Sequence, residues 1–271
     1  MKRILTAIVL VPFLVAIIGY APPPVFFALV IISAAIALEE FFNITSKVGA
    51  EADRISGHIA CASVLSALYA RPLNFQPALL VLAVSTLIVL ALGLRRTNLQ
   101  AAFAGSSATL LGLLYVPVAL GMLLAVHRSS TPWGPGSCWV FFLLLTVWFG
   151  DTAAYYVGKT VGAHPLAPRV SPKKTVEGCV GGFLGNMAAA FVGQKLLLPA
   201  APLAHLLAIS LVLGAFSQIG DLSESAMKRS AGIKDSSNLL PGHGGMLDRI
   251  DGVLFASPPL LTYLSIVVGR N

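Results

Sequence analysis

Charge is what this sequence has least of. Only 11% of its 271 residues are Asp, Glu, Lys or Arg, against 56% apolar residues. Soluble domains carry about 25% charged residues, so a single water-soluble core is excluded and the chain reads as a membrane protein. Cysteine is scarce too: Cys61, Cys138 and Cys179 lie far apart, with neither a Cys-x-x-Cys pair nor a histidine at zinc spacing. That argues against a disulfide framework or a zinc site and leaves three small apolar side chains. A soluble domain, a long linker, a low-complexity tract and a clear internal repeat are all missing. So is a small-x-small cleavage pattern after the basic start and apolar run of residues 1–20, which continue into Pro22-Pro23-Pro24. That run reads as a retained first span or signal anchor.

What is present is a series of apolar runs near the length of about 20 residues that a membrane-crossing helix needs. They cover residues 4–20, 25–42, 55–70, 77–94, 105–126, 137–157, 178–198, 203–220 and 250–268. The run at 55–70 is the weakest, being short and holding His58 and several serines. The expectation is an all-α polytopic integral membrane protein of about nine transmembrane helices with a cytosol-facing polar site. About five spans fall in residues 1–130 and about four in residues 131–271. With the N-terminus inside, fourteen of the 18 basic residues fall in inner segments, leaving Arg71, Arg128, Lys195 and Arg270 outside. All eleven acidic residues gather on or near the inner side as well. Longer inner loops explain Glu51 and Asp53, but not Asp151, which sits inside an apolar segment. This placement gives the formal charge of +7 no nucleic-acid partner to explain. Gly178, Gly181, Gly182 and Gly185 put small residues on neighbouring parts of one helix face, which suits close packing.

The chemistry concentrates between the last two runs. Residues 221–251 hold Asp221, Glu224, Asp235, Asp248 and Asp251, together with Lys228, Arg229, Lys234, Arg249 and His243. Ionisable groups at membrane spans are costly and point to function. Asp248 and Asp251 are three apart and share a helix face; Asp221 and Glu224 repeat the spacing at the end of the preceding run. Oxygen ligands of this kind suit Mg²⁺. The alternative is that Asp248 and Asp251 only favour the positive end of a helix, and that Glu224 pairs with Lys228 on a solvated helix end. Four converging carboxylates would repel one another unless a metal or the nearby basic residues offset them. Pro241-Gly-His243-Gly244-Gly245 reads either as a plain turn or as backbone that lets phosphate approach. Ser225, Lys228, Arg229 and Lys234 add hydroxyl and cationic donors for phosphate oxygens. A second inner loop brings Lys159, Arg169, Ser171, Lys173, Lys174 and Thr175, which would bind either lipid headgroups in general or a specific phosphate. Its Gly-Lys-Thr lacks the upstream spacing of a phosphate loop.

These residues form a recognisable pattern. Ser225-Ala-Met-Lys228-Arg229, Lys234-Asp235, Pro241-Gly-His243-Gly244-Gly245 and Asp248-Arg249-Ile-Asp251 resemble the signature of the phosphatidate cytidylyltransferases, or CDP-diacylglycerol synthases. Gly150-Asp151-Thr152, Ser171 to Gly178 and Gly220 to Ser225 are similar to the same family. The likeness covers about residues 145–255; the first five spans match only in hydropathy. It implies an enzyme that joins CTP and phosphatidic acid into CDP-diacylglycerol and pyrophosphate, requiring Mg²⁺ and leaving open a K⁺ beside it. It also implies a homodimer whose site faces the cytoplasm, and the compact length suggests a bacterial inner membrane. On this reading Asp221, Asp248 and Asp251, with Glu224, bind metal. Lys228, Arg229, Lys234, His243 and Arg249 face phosphates as the catalytic set, while Asp151, Ser171, Lys173, Lys174, Thr175, Ser225, Gly244 and Gly245 bind substrate. A CTP-dependent lipid kinase and an ion transporter are the rival readings. The gathering of the acids at one side disfavours transport.

Overall fold

The computed structural model describes residues 2–239 and 244–268. It is mostly helical. The α-helices are α1 (Lys2–Tyr20), α2 (Pro23–Lys47), α3 (Arg54–Ala70), α4 (Gln76–Gly93) and α5 (Leu99–Leu113), then α6 (Ala119–Arg128), α7 (Gly136–Val161), α8 (Val176–Leu196), α9 (Leu203–Ser230) and α10 (Leu247–Tyr263). A π-helical turn, Leu114–Val118, joins α5 to α6. It contains Pro117, which has no amide to donate, so the hydrogen-bond ladder shifts there instead of ending. Strand structure is confined to two short antiparallel hairpins, β1 (Ser130–Thr131) with β2 (Gly134–Pro135) and β3 (Pro165–Ala167) with β4 (Ser171–Thr175).

All nine apolar runs are helical. Among the described residues, seven helical segments are long and apolar enough to cross a membrane: α2, α4, the α5–α6 run, α7, α8, α9 and Leu247–Val268. Helix α3 is 17 residues long, and the apolar part of α1, Val11–Tyr20, is shorter. Helix α4 has the composition of a lipid-facing span: Leu79, Leu80, Val84, Leu87, Ile88 and Leu90 are all exposed. An apolar exterior is costly in water but not against hydrocarbon. The chain is an integral membrane protein.

Two compact units are present: residues 1–125 with 227–250, and residues 126–226 with 251–271. The first is a bundle built on α2, whose start is set by Pro23 and Pro24, with φ already suited to a helix. The inner face of α2 buries Ala34, Ala37, Leu38, Phe41 and Phe42 completely or nearly so. Small residues on neighbouring helices let these rings in: a Cβ on Gly112 would lie 2.9 Å from Leu38 and Phe42 atoms, and one on Gly57 2.7 Å from Phe42. Helix α3 is capped by Asp53, whose carboxylate accepts from the Ser56 amide at 3.0 Å.

In the second unit α7 and α8 pack along a glycine seam. A Cβ on Gly181 would fall 2.5 Å from Val157, and one on Gly185 2.4 Å from the Phe149 carbonyl. The glycines noted in the sequence therefore serve helix approach. Buried Asn186 lies in the same seam, against Gly150 of α7 and Gly214 of α9. With its amide oriented to satisfy its neighbours, its nitrogen donates to the Thr146 carbonyl at 3.0 Å and the Gly182 carbonyl at 3.3 Å. At the other end of this unit, His205 Nδ1 meets the Tyr263 hydroxyl at 2.7 Å beneath Trp133.

Candidate functional site

The first unit carries the signature loop. Helix α9 ends in a turn in which Gly232 (φ +68°) takes the left-handed conformation and the Ile233 amide donates back to the Lys228 carbonyl at 3.0 Å. This closure satisfies carbonyls that the helix end would otherwise orphan. Arg229 adds to it, donating to the Ile233 carbonyl at 2.8 Å. The turn leaves Lys228 pointing inward, only 8% exposed, with Nζ 2.5 Å from Asp248 Oδ1. The other Asp248 oxygen, Oδ2, accepts from the Gly245 amide at 2.8 Å, the Ser236 amide at 2.9 Å and the Ser236 hydroxyl at 2.9 Å. Asp248 thus holds the start of α10, as the helix-end alternative expects, and pairs with a lysine at the same time.

At the Gly244-Gly245 pair of the loop, carboxylates come close to the backbone. A Cβ on Gly244 would lie 2.7 Å from Asp248 Oδ2; one on Gly245 would lie 2.1 Å from Ser236 Oγ and 2.5 Å from Glu40 Oε1. Glu40, from α2, is the site residue that sequence reasoning missed. Its carboxylate is 4% exposed and accepts from the Ser236 hydroxyl (2.9 Å), the Ser237 hydroxyl (2.6 Å), the Met246 amide (3.0 Å) and the Leu247 amide (2.7 Å). The one available signal was a Glu39-Glu40 pair inside an apolar helix. Glu39 itself faces the half-exposed Arg54 and His58 of α3. Beside this network lies an open cavity of about 560 Å³ lined by Glu39, Glu40, Asn43, His58, Ser237 and Leu239. Lys234, Asp235 and Arg249 are exposed. His243, with Pro241 and Gly242, lies outside the described residues.

The second unit carries the other half of the predicted residues. Strand β4 presents Ser171, Lys173, Lys174 and Thr175. Thr175 caps α8, accepting from the Gly178 amide at 3.1 Å. Glu177, in the first turn of α8, accepts from the Ala163 and His164 amides and from the His164 ring at 2.5 Å, fixing the link from α7 to the hairpin. The hairpin so placed reaches α9: Lys174 Nζ is 2.5 Å from Asp221 Oδ2. The Ser225 hydroxyl donates to the other Asp221 oxygen at 3.3 Å. Lys173 stays exposed. Asp251 sits where α9 and α10 cross tightly, a Cβ on Gly220 being only 2.7 Å from its carbonyl. Glu224 is buried one turn beyond Asp221. Asp151 lies exposed on α7, as do Trp148, Tyr155 and Tyr156. In both units, then, an acidic residue of the signature holds a lysine: Lys228 with Asp248, and Lys174 with Asp221.

The chain is similar to known proteins. The chain is 44% identical over 131 residues to a phosphatidate cytidylyltransferase of Bacillus subtilis, covering 48% of this chain and 49% of that protein. It is 40% identical over 158 residues to one of Staphylococcus saprophyticus, covering 58% of each. A third, of Thermotoga maritima, is 36% identical over 164 residues, covering 59% of each. The match therefore spans between about half and three-fifths of the length of these curated relatives. The family model described as the cytidylyltransferase family matches residues 1–267, and this chain belongs to that family.

Proposed function

We propose that the chain transfers the cytidylyl group of CTP to phosphatidic acid, forming CDP-diacylglycerol and pyrophosphate for phospholipid synthesis. The observation that carries this reading is the pair of lysine–carboxylate contacts, Lys228–Asp248 and Lys174–Asp221, each at 2.5 Å within the family's motifs. Phosphatidate brings its own nucleophile. A phosphate oxygen of the lipid attacks the α-phosphorus of CTP, a new P–O bond forms, and the bond to the oxygen bridging to the β-phosphorus breaks. Its electron pair leaves with pyrophosphate. A reaction of this kind needs positioned charge more than covalent help from the protein. Lys228, Arg229, Lys234, His243 and Arg249 would meet phosphate oxygens, and Lys173 and Lys174 those of CTP or of the lipid. Ser171, Thr175, Ser225, Gly244, Gly245 and Asp151 would supply the remaining substrate contacts.

The donor chemistry fits Mg²⁺ in part. Asp221 and Asp251 belong to two helices that cross closely in one unit, and both are partly exposed. Among the described residues no three His, Cys, Asp or Glu side chains are gathered as a preformed cage. Mg²⁺ is commonly held by one or two carboxylates plus water and substrate phosphates, so Asp221 and Asp251, with Glu224 nearby, would suffice. Asp248, in the first unit, would have to release Lys228 or a hydrogen bond before it could bind metal. When bound, Mg²⁺ would neutralise charge on the CTP phosphates; the family likeness leaves open a K⁺ beside it. The same reading includes nine crossings, a homodimer and a site on the cytoplasmic side of a bacterial inner membrane. The inward gathering of basic residues supports that sidedness.

CTP labelled at the α- or the γ-phosphorus tests the proposal with purified protein and phosphatidate. The expected result is α-label in the lipid product and γ-label in pyrophosphate. Label from the γ-phosphorus in the lipid would make the chain a CTP-dependent lipid kinase instead.

A further inference from the structure

We infer that Glu40 is a positioning residue: its carboxylate clamps the turn 244–247 and thereby sets the place of Asp248 and its partner Lys228. This rests on the proposed cytidylyltransferase reading and extends it to a helix, α2, that carries none of the family's recognised motifs. A carboxylate offers about four lone-pair sites, and four donor groups converge on Glu40, the single proton of the Ser236 hydroxyl being shared with Asp248. Oε1 accepts from the Ser237 hydroxyl and the Met246 amide; Oε2 accepts from the Ser236 hydroxyl and the Leu247 amide. All four donors come from the signature loop and the start of α10, some 200 residues away in the chain.

Among the described residues, the groups that donate to this carboxylate all belong to residues 236–247. Its neighbours on α2, Leu38, Phe41 and Phe42, are apolar and fully buried. A charge buried there is costly unless its hydrogen bonds are complete. The loop is shaped around it: Gly245 admits no side chain because Glu40 Oε1 and Ser236 Oγ occupy the space a Cβ would take. Ser236 also ties the two carboxylates together, its hydroxyl lying 2.9 Å from Glu40 Oε2 and 2.9 Å from Asp248 Oδ2. The amides of Gly245, Met246 and Leu247 are thus committed to two carboxylates, Asp248 taking the first and Glu40 the others. Glutamine cannot replace Glu40 in this role. It keeps the size but turns an NH₂ toward a backbone N–H, so one of the Met246 and Leu247 amides loses its acceptor.

The test compares the full-length wild type with Glu40→Gln, Glu40→Asp and Glu39→Gln in detergent, reading kinetics and amide hydrogen exchange together. Misplacing a group that contacts the reacting phosphates costs turnover more than binding, so Glu40→Gln should lower kcat by about tenfold or more with KM for CTP within about threefold. Exchange at Met246 and Leu247 should rise by about tenfold, while the α7–α8 seam stays as protected as in wild type. Glu40→Asp, which keeps both acceptor oxygens on a shorter stem, should recover most of the lost protection and turnover. Glu39→Gln, whose native carboxylate pairs with the half-exposed Arg54 and His58, should resemble wild type. Should Glu40→Gln fail to fold, Ser237→Ala removes one donor without disturbing the charge, and a smaller loss of the same kind is expected. Wild-type turnover and protection in Glu40→Gln would overturn the inference and leave the proposed function standing. Faster exchange throughout the chain, with kcat and KM changing together, would reduce Glu40 to a general stabiliser and also overturn it. A wild type that makes no CDP-diacylglycerol would instead sink the proposed function, and exchange at Met246 and Leu247 would then decide the clamp alone.

Discussion

Two lysines, each paired with a carboxylate, sit in different surroundings, and substitution should separate the costs. The Lys228 and Asp248 side chains are 10% and 5% exposed, those of Lys174 and Asp221 29% and 38%. Breaking a buried pair strands a charge and costs about 3–5 kcal/mol, whereas an exposed pair contributes about 0–1 kcal/mol. Lys228→Met should therefore lower the melting temperature in detergent by several degrees, and Lys174→Met should barely change it. Both should lose most turnover if the lysines face phosphates. A Lys174→Met protein with normal activity would return that loop to general attraction for lipid headgroups. Glycines separate in the same way. Gly245→Ala drives a Cβ into Ser236 and Glu40, and should destroy activity. Gly232→Ala meets nothing within 4 Å and carries only the left-handed strain of about 1–2 kcal/mol, so activity should survive with a reduced melting temperature. At this scale the signature carboxylates and lysines were legible because their types and spacing are unusual for a membrane chain. The Lys228–Asp248 pair was not, since residues 20 apart become neighbours only when the loop folds back. Glu40 was less legible still, its four donors lying some 200 residues away.

At the scale of elements, periodic patterns carried well. Every apolar run became a helix, because in hydrocarbon a backbone must satisfy its own amides and carbonyls. The glycines of α8 were read as a packing face, and the α7–α8 seam is where they lie. Gly185→Leu should force α7 away and lower the yield of monodisperse protein on size-exclusion chromatography. Ala188→Leu, on the exposed side of the same helix, should not. Equal behaviour of the two would show that the seam tolerates separation. What the pattern did not supply was the small β3–β4 hairpin. Beside it Glu177 gathers the Ala163 and His164 amides, and hydropathy carries no trace of that.

For the whole molecule the expected outcome concerns sidedness. Cysteines at Asn238 and Ser130, both exposed, in a background lacking Cys61, Cys138 and Cys179, should react with an impermeant reagent from opposite faces of sealed membranes. Labelling from one face would defeat the nine-crossing arrangement with the N-terminus inside. Ser236, though in the same loop, is unsuitable: it is buried and bonded to Glu40 and Asp248.

The membrane class, the helical fold and the family are written in composition, run length and local motif, all of which act over a few residues to a few turns. These need no knowledge of what packs against what. Which carboxylate holds which lysine, and which helix steadies the signature loop, depended on the tertiary structure. Hydrogen bonds form between groups brought within about 3 Å, and chain distance says nothing about that once the chain has folded. Residues 227–250 group with the N-terminal helices, and there a buried glutamate on α2 accepts from the Met246 and Leu247 amides while Asp248 accepts from those of Gly245 and Ser236.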